Sequence, residues 1–338
     1  MRPRLKPAQD QTIVITGASS GIGLATARLA AERGASVVLA ARNEEALSKI
    51  AGELRSRGAR VAVCVADVAV ETDVERIAAT AVREFGGFDS WCNIASVSDY
   101  GTLEQIGMDE HRRVFEVNYF GLLKGSLIAL AHLRERGGGA IINVGSILSD
   151  RSIILQGPYS ATKHAVRAVS EALRMDVQRE GLPVSVTLIK PGAMHTPFPE
   201  HARNHMDAPP RVPQLVYAPD LVADAILFAA EHPRRQLYVG GNGFVLSLLA
   251  RIFPSITDRI MVAAMVRAQQ LPSDPGDPLL RDNLYQPRRD GDVEGHQDIY
   301  VRRQSLFLEA QKRPGPAFAL ALAGSALALF ALRRRPLR

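Results

Sequence analysis

The chain has 338 residues, 46% of them hydrophobic and 22% charged, enough to bury a sizeable core. Its net charge is +6, but fourteen Lys/Arg and nine Asp/Glu lie from Leu246 onward, so the part before it is within one charge of neutrality, which argues against a nucleic-acid-binding face on the folded domain. The two cysteines, Cys64 and Cys92, fall in apolar strand-like runs, which excludes a disulfide framework and fits a reducing, cytoplasmic compartment.

The first eleven residues are polar and carry prolines, so no secretory leader is expected. Residues 11–16 form a β-branched run without strong alternation, the pattern of a parallel strand buried on both faces. Gly17, Gly21 and Gly23 follow, and residues 22–33 have helical composition. Glycines between a strand and a helix allow positive φ and let the backbone approach a pyrophosphate, while the helix start offers unpaired amides. The turn Ser19-Ser20-Gly21-Ile22-Gly23 therefore reads as a dinucleotide cradle, spaced Gly-x-x-x-Gly-x-Gly.

A second strand at 36–42 ends in Ala40-Ala41-Arg42, with no carboxylate before Glu44. An acidic residue at that place reads the ribose of NAD, whereas arginine suits the 2′-phosphate of NADP. NADP (NADPH) is expected over NAD, the alternative being that Arg42 is an ordinary solvated residue opening the next helix. Further strands are predicted at 61–66, 89–94, 140–144, 184–190 and 236–239, with helices between them. The alternation predicts an α/β fold, one doubly wound Rossmann-type domain over 1–243 with a parallel sheet flanked by helices.

Tyr159 and Lys163 stand four residues apart, one helical turn, so both lie on one helix face. A cation beside a phenol lowers its pKa, which suits the phenol to exchange a proton with an alcohol or ketone. The pair alone is common; its significance comes from the glycine turn upstream. His201 and His205 have the spacing of some metal pairs, but no carboxylate or cysteine pattern accompanies them, so a loop is expected there and no metal site.

Beyond residue 243 a helical extension is predicted. Residues 244–271 carry apolar residues at helical spacing, broken at Pro254, and suggest two amphipathic helices that pack on the domain or line an apolar entrance. Residues 272–316 are expected to be a partly disordered linker, since 272–294 are rich in Pro, Asp, Gly and Arg. Residues 317–332 carry no charge and only Ser325 as a polar side chain, apolar around the whole circumference. At roughly 24 Å of helix this is short for a bilayer core of about 30 Å. The flanking Lys312, Arg313 and the basic tail 333–338 would snorkel, and a carboxy-terminal membrane anchor is expected, with the catalytic domain on the cytoplasmic side.

Taken together, the motifs resemble those of the short-chain dehydrogenases/reductases, over residues 11–243. Thr16-Gly17-Ala18-Ser19-Ser20-Gly21-Ile22-Gly23 is similar to that family's cofactor turn, and Asp67-Val68 to its adenine-contacting pair. Cys92-Asn93-Ile94-Ala95-Ser96 resembles the Asn-Asn-Ala-Gly strand end in part, with Ile94 and Ser96 departing from it. Those departures imply altered cofactor affinity, not loss of activity. Asn118 resembles the helix asparagine, Ser146 the catalytic serine, and Pro191-Gly192-Ala193-Met194-His195-Thr196 the loop beneath the nicotinamide.

The resemblance implies an NAD(P)-dependent oxidoreductase acting on CH–OH and C=O groups. Tyr159 would be the acid/base, Lys163 would hold the ribose and tune Tyr159, Ser146 would polarise the substrate oxygen, and Asn118 would support a proton-relaying water. Asn93, Pro191, Gly192 and Thr196 would complete the cofactor site. The expected substrate is a lipophilic alcohol or ketone, with a homo-oligomer as the working form. An acyl-thioester reductase and a non-catalytic nucleotide-sensing membrane adaptor are the alternatives.

Overall fold

A computed structural model describes residues 3–213, 215–271, 282–288, 291–313 and 315. The apolar runs become strands and the periodic stretches between them become helices: β1 (Thr12–Thr16), α1 (Gly21–Glu32), β2 (Ser36–Ala41), α2 (Glu44–Ser56), β3 (Val61–Val65), α3 (Glu71–Phe85) and β4 (Ser90–Asn93). After a two-residue strand β5 (Asp99–Tyr100) come α4 (Met108–Phe115) and α5 (Leu122–Arg136), joined without a break through a π-helical turn, Glu116–Gly121. The winding continues with β6 (Gly139–Val144), α6 (Gly157–Arg179) and β7 (Val184–Pro191). Next are α7 (Phe198–His201), β8 (Arg203–Asn204), β9 (Val216–Tyr217), α8 (Asp220–Glu231) and β10 (Gln236–Val239).

Seven of these strands form one parallel sheet in the order β3-β2-β1-β4-β6-β7-β10. Because strand side chains alternate between faces, neighbouring residues of β1 enter different cores. Ile13 and Ile15 pack with Leu24 of α1, Ile50 of α2 and Ile226 of α8. Val14 faces the other way, with Ile77 of α3, Leu133 of α5 and Leu173 of α6. Double-sided burial explains why the strands read as continuous apolar runs. The winding reverses between β1 and β4, which opens a crevice at their carboxyl ends. Both cysteines are free and buried. The run 108–136 is long and apolar enough to cross a membrane, but it supplies α5 to the second core.

Past residue 240 lie α9 (Gly241–Ile252) and α10 (Pro254–Ile260), the second beginning at the proline, then a π-helical turn Met261–Met265 and α11 (Val266–Ala268). The stretch 272–316, expected as a linker, differs: its described parts are packed on the domain. Strand β11 (Val301–Arg302) pairs with β9, and α12 (Leu306–Lys312), capped by Ser305, buries Leu308 completely in the first core. Gln311 of α12 accepts a hydrogen bond from the Tyr238 amide and donates to the Tyr238 carbonyl, both at 2.9 Å, satisfying the open edge of β10. A few well-placed side chains do this, and composition averages do not register them. The expected anchor, 317–332, and the basic tail lie outside the described residues.

Candidate active site

The crevice holds a continuous cleft of about 750 Å³ that runs from Arg42 to Met265. Its floor at one end is the glycine turn. Gly17 has φ of +71°, and a Cβ there would lie 2.8 Å from the Ala95 Cα; a Cβ on Gly23 would lie 1.9 Å from the Gly17 carbonyl oxygen. Both must be glycine for the turn to fold against β4 and for α1 to start where it does. Ser19, Ser20, Gly21, Ile22, Asp67, Val68, Pro191, Gly192 and Thr196 line the same cleft.

Two cofactor expectations need restating. Asn93 lies off the cleft, because the strand pleat turns its side chain beneath the sheet. There it accepts from the Trp91 indole at 2.8 Å and donates to Ser126 and Asn143 at 3.0 and 2.9 Å. Ile94 and Ala95, the next residues, face the cleft. Arg42 does end β2 at the cleft, but its guanidinium donates to the carbonyls of Asn283, Leu284 and Tyr285 from the extension. Asp67 is held by Arg113 at 2.6 Å, and Arg113 in turn donates to the Leu284 carbonyl at 2.9 Å.

At the other end Ser146, Tyr159 and Lys163 come together. Ser146 lies two residues past the end of β6 and its Oγ caps the turn after it, accepting from the Leu148 amide at 3.1 Å. Tyr159 and Lys163 occupy the first turns of α6, with Lys163 Nζ 5.3 Å from the Tyr159 ring centroid. Lys163 is 2% exposed and donates to the Val144 carbonyl at 3.1 Å. Burial pulls its ammonium from 10.5 down to about 7. Burial also pushes the Tyr159 phenol well above its ordinary value, with a hydrogen bond to Ser146 acting in the opposite sense. The expected lowering of Tyr159 by Lys163 is not seen here: burial dominates the phenol, and only Ser146 opposes it.

Asn118 sits in the π-helical turn, a distortion often found at working sites, and is 1% exposed. Its carboxamide accepts from the Val97 amide at 2.8 Å and from Ser96 Oγ at 3.0 Å, and donates to the Val97 carbonyl at 2.9 Å and Thr162 Oγ1 at 3.2 Å. It ties the loop after β4 to the residue beside Lys163. Ser96, a departure at sequence level, is one of its partners.

One feature was missed in the sequence. Asp150 and Lys190 are each 1% exposed in their side chains and meet at 2.9 Å, with Tyr238 Oη donating to Asp150 at 2.7 Å and Arg167 at 2.5 Å. Burial alone would raise the Asp150 carboxyl, but the hydrogen bonds from Lys190 and Tyr238 hold it below its usual range. This cluster locks the Ser146 turn to the Pro191-Gly192 loop. The extension, for which packing on the domain or lining an apolar entrance was expected, forms a wall of the cleft: Leu246, Ile260, Met261, Ala264, Met265 and Ala268 face it. Gln269 fastens that wall, accepting from Gln156 at 2.6 Å and donating to the Ile154 carbonyl at 2.9 Å. No pattern in the sequence links these distant positions. Of the expected histidines, His205 meets Glu110 at 2.7 Å, and among the described residues no three metal-ligating side chains cluster.

Known proteins agree with this architecture. The family model described as short chain dehydrogenase matches residues 11–207. An oxidoreductase of Bacillus subtilis, YxnA, is 44% identical over 313 residues, covering 92% of this chain and 88% of its own length. L-Sorbose reductase from Gluconobacter frateurii, solved with NADPH and L-sorbose, superposes with a TM-score of 0.61 at 26% identity over 71% of this chain and 98% of its own. An alcohol dehydrogenase from Thermococcus sibiricus, solved with 5-hydroxy-NADP, gives 0.60 at 28% identity over 68% and 96%. The match to YxnA extends well beyond the core that the solved structures cover.

Proposed function

The chain belongs to the short chain dehydrogenase family, and from that premise we propose that it interconverts a lipophilic ketone and its secondary alcohol, with NADPH as the preferred cofactor. The observation that carries the reading is one cleft with the Ser146, Tyr159 and Lys163 set between a glycine-turn floor and an apolar wall. Bound nicotinamide supplies hydride. Ser146 Oγ hydrogen-bonds the substrate oxygen and stabilises the charge that builds there, and Tyr159 Oη hands it a proton in reduction or removes one in oxidation. Lys163, brought by burial to about 7, would hold the ribose of a bound nucleotide, and it would return to Tyr159 from solvent the proton that Tyr159 gives up in reduction, or carry it away in oxidation. Asn118 acts through position, keeping the α6 start against the loop after β4. The wall of Leu246, Met261 and Met265, joined by Leu148, Ile153 and Val212, excludes water and favours an apolar substrate.

NADPH preference is supported by Arg42 at the end of β2, where no carboxylate stands, and by the NADP-type ligands of the two solved relatives. A membrane setting is supported by the apolar stretch 317–332 and by α9 and α10, which leave Val245, Leu248, Ile252 and Ile256 exposed. The test is NADPH-dependent reduction of a panel of lipophilic ketones. Tyr159→Phe should lower turnover by roughly 10²- to 10⁴-fold while nucleotide binding persists. Equal turnover in that variant would overturn the mechanism, and equal use of NADH would overturn the cofactor preference. Removal of 317–338 should move the protein from the membrane fraction to the soluble one, and unchanged partitioning would overturn the membrane setting.

A further inference from the structure

The extension crosses the cofactor half of the cleft as well as the substrate half. Its near end is fixed by Asp282, which pairs with Arg203 at 2.7 Å, and by the Asn283 amide, which donates to the His201 carbonyl at 2.8 Å. Leu284 is fully buried against Val97, Val114 and Val117. The far end is fixed by His296, whose amide and ring both meet the Glu200 carboxylate, at 2.8 and 2.9 Å, and by Gln297, which donates to the Pro210 carbonyl at 3.0 Å. Between these anchors the Gly21 amide, at the start of α1, donates to the Asp292 carbonyl at 2.9 Å, and Asn43 donates to the Arg288 carbonyl at 2.7 Å. Gly295 lies so close to the domain that a Cβ would stand 2.7 Å from the Thr196 carbonyl oxygen.

Arg288 is the residue this arrangement does not explain by packing. It is 9% exposed, it lines the cleft with Ser20, Gly21 and Arg42, and its guanidinium hydrogen-bonds the Glu200 carbonyl. No carboxylate pairs with it among the described residues, and the nearby Glu200 carboxylate is taken by His296. A buried guanidinium without an anion is costly, and its planar fork fits phosphate oxygens. We propose that residues 282–288 and 291–297 form a strap over the dinucleotide, and that Arg288 on this strap is a cofactor-phosphate-binding residue supplied from outside the family core.

This rests on the dinucleotide reading above, which the same experiment checks first. NADPH and NADH are titrated into the full-length protein by fluorescence, and release is timed by displacement. Arg288→Ala should weaken binding about tenfold or more, and Arg288→Lys should recover part of the loss. Equal loss for both nucleotides assigns Arg288 to the pyrophosphate; loss for NADPH alone assigns it to the 2′-phosphate. Gly295→Val, which pushes the strap away from Thr196 without altering the Arg288 side chain itself, should speed nucleotide release. A wild type that binds neither nucleotide overturns the dinucleotide reading and the strap with it. A wild type that binds, with Arg288→Ala binding equally well, overturns the Arg288 assignment alone, and unchanged release from Gly295→Val overturns the strap.

Discussion

Replacing Lys163 by methionine should abolish turnover yet stabilise the nucleotide-free protein, by an amount that depends on pH. In the unfolded chain the ammonium stays charged up to about 10.5, whereas in the folded one burial brings it down to about 7. Folding at neutral pH therefore carries the penalty of a desolvated charge, full below the folded value and fading as pH rises toward the unfolded one. The gap is worth about 5 kcal/mol near pH 6 and about 2 kcal/mol near pH 9, at about 1.4 kcal/mol per pH unit. Losing the bond to the Val144 carbonyl costs the variant about 1 kcal/mol at every pH, so it shifts the comparison without tilting it. Urea unfolding of both proteins without nucleotide, at matched ionic strength near pH 6, 7.5 and 9, measures the difference. The methionine variant should be more stable, and its advantage should shrink as pH rises. An advantage that is constant with pH, or that grows, would refute the reasoning that Lys163 is destabilised by burial.

Asp99 is fully buried, neither carboxylate oxygen meets another residue's donor among the described residues, and burial raises it to about 6, opposed by its own backbone amide and by His205 and aided by Glu110. Its folded value lies above the unfolded 3.8, so stability falls as pH rises from about 4 to 6 and then levels off. Asp99→Asn should gain about 3 kcal/mol near pH 8 and nothing near pH 4, read by denaturant midpoints at each pH. Leu308→Ala should cost about 2–5 kcal/mol in one cooperative transition, as expected for core and not for a linker, where the change would stay within about 0.5 kcal/mol. Asn118→Ala leaves the Val97 amide and carbonyl unpaired, and should lower the thermal midpoint as well as kcat; a loss of kcat with an unchanged midpoint would mean that Asn118 is not the structural tie described above.

The seven sheet strands could be read from the chain because most are short apolar runs, and the inner ones are buried on both faces, a property their own residues carry. The glycine turn and the Tyr159, Lys163 spacing were equally readable, since a turn or one helical repeat brings their atoms together. Asn93 was misread because its motif names a residue, and only the pleat decides which face that residue meets. The extension was misread for another reason: 272–294 is poor in large apolar residues, and its attachment rests on single anchors such as Leu284 that matter only against a preformed surface. The Asp150, Lys190 and Tyr238 cluster joins the turn after β6 to the ends of β7 and β10, separate parts of the chain, a coincidence that no local pattern encodes.

Family, fold class and the chemistry-bearing residues thus follow from short-range sequence, where spacing and side-chain type suffice. The protonation balance of Tyr159 and Lys163 and the path of the 282–297 stretch along the cleft were decided only by tertiary packing. Desolvation and closure depend on which distant segments come to rest on a site, and here the segment that does so is the one whose composition says least.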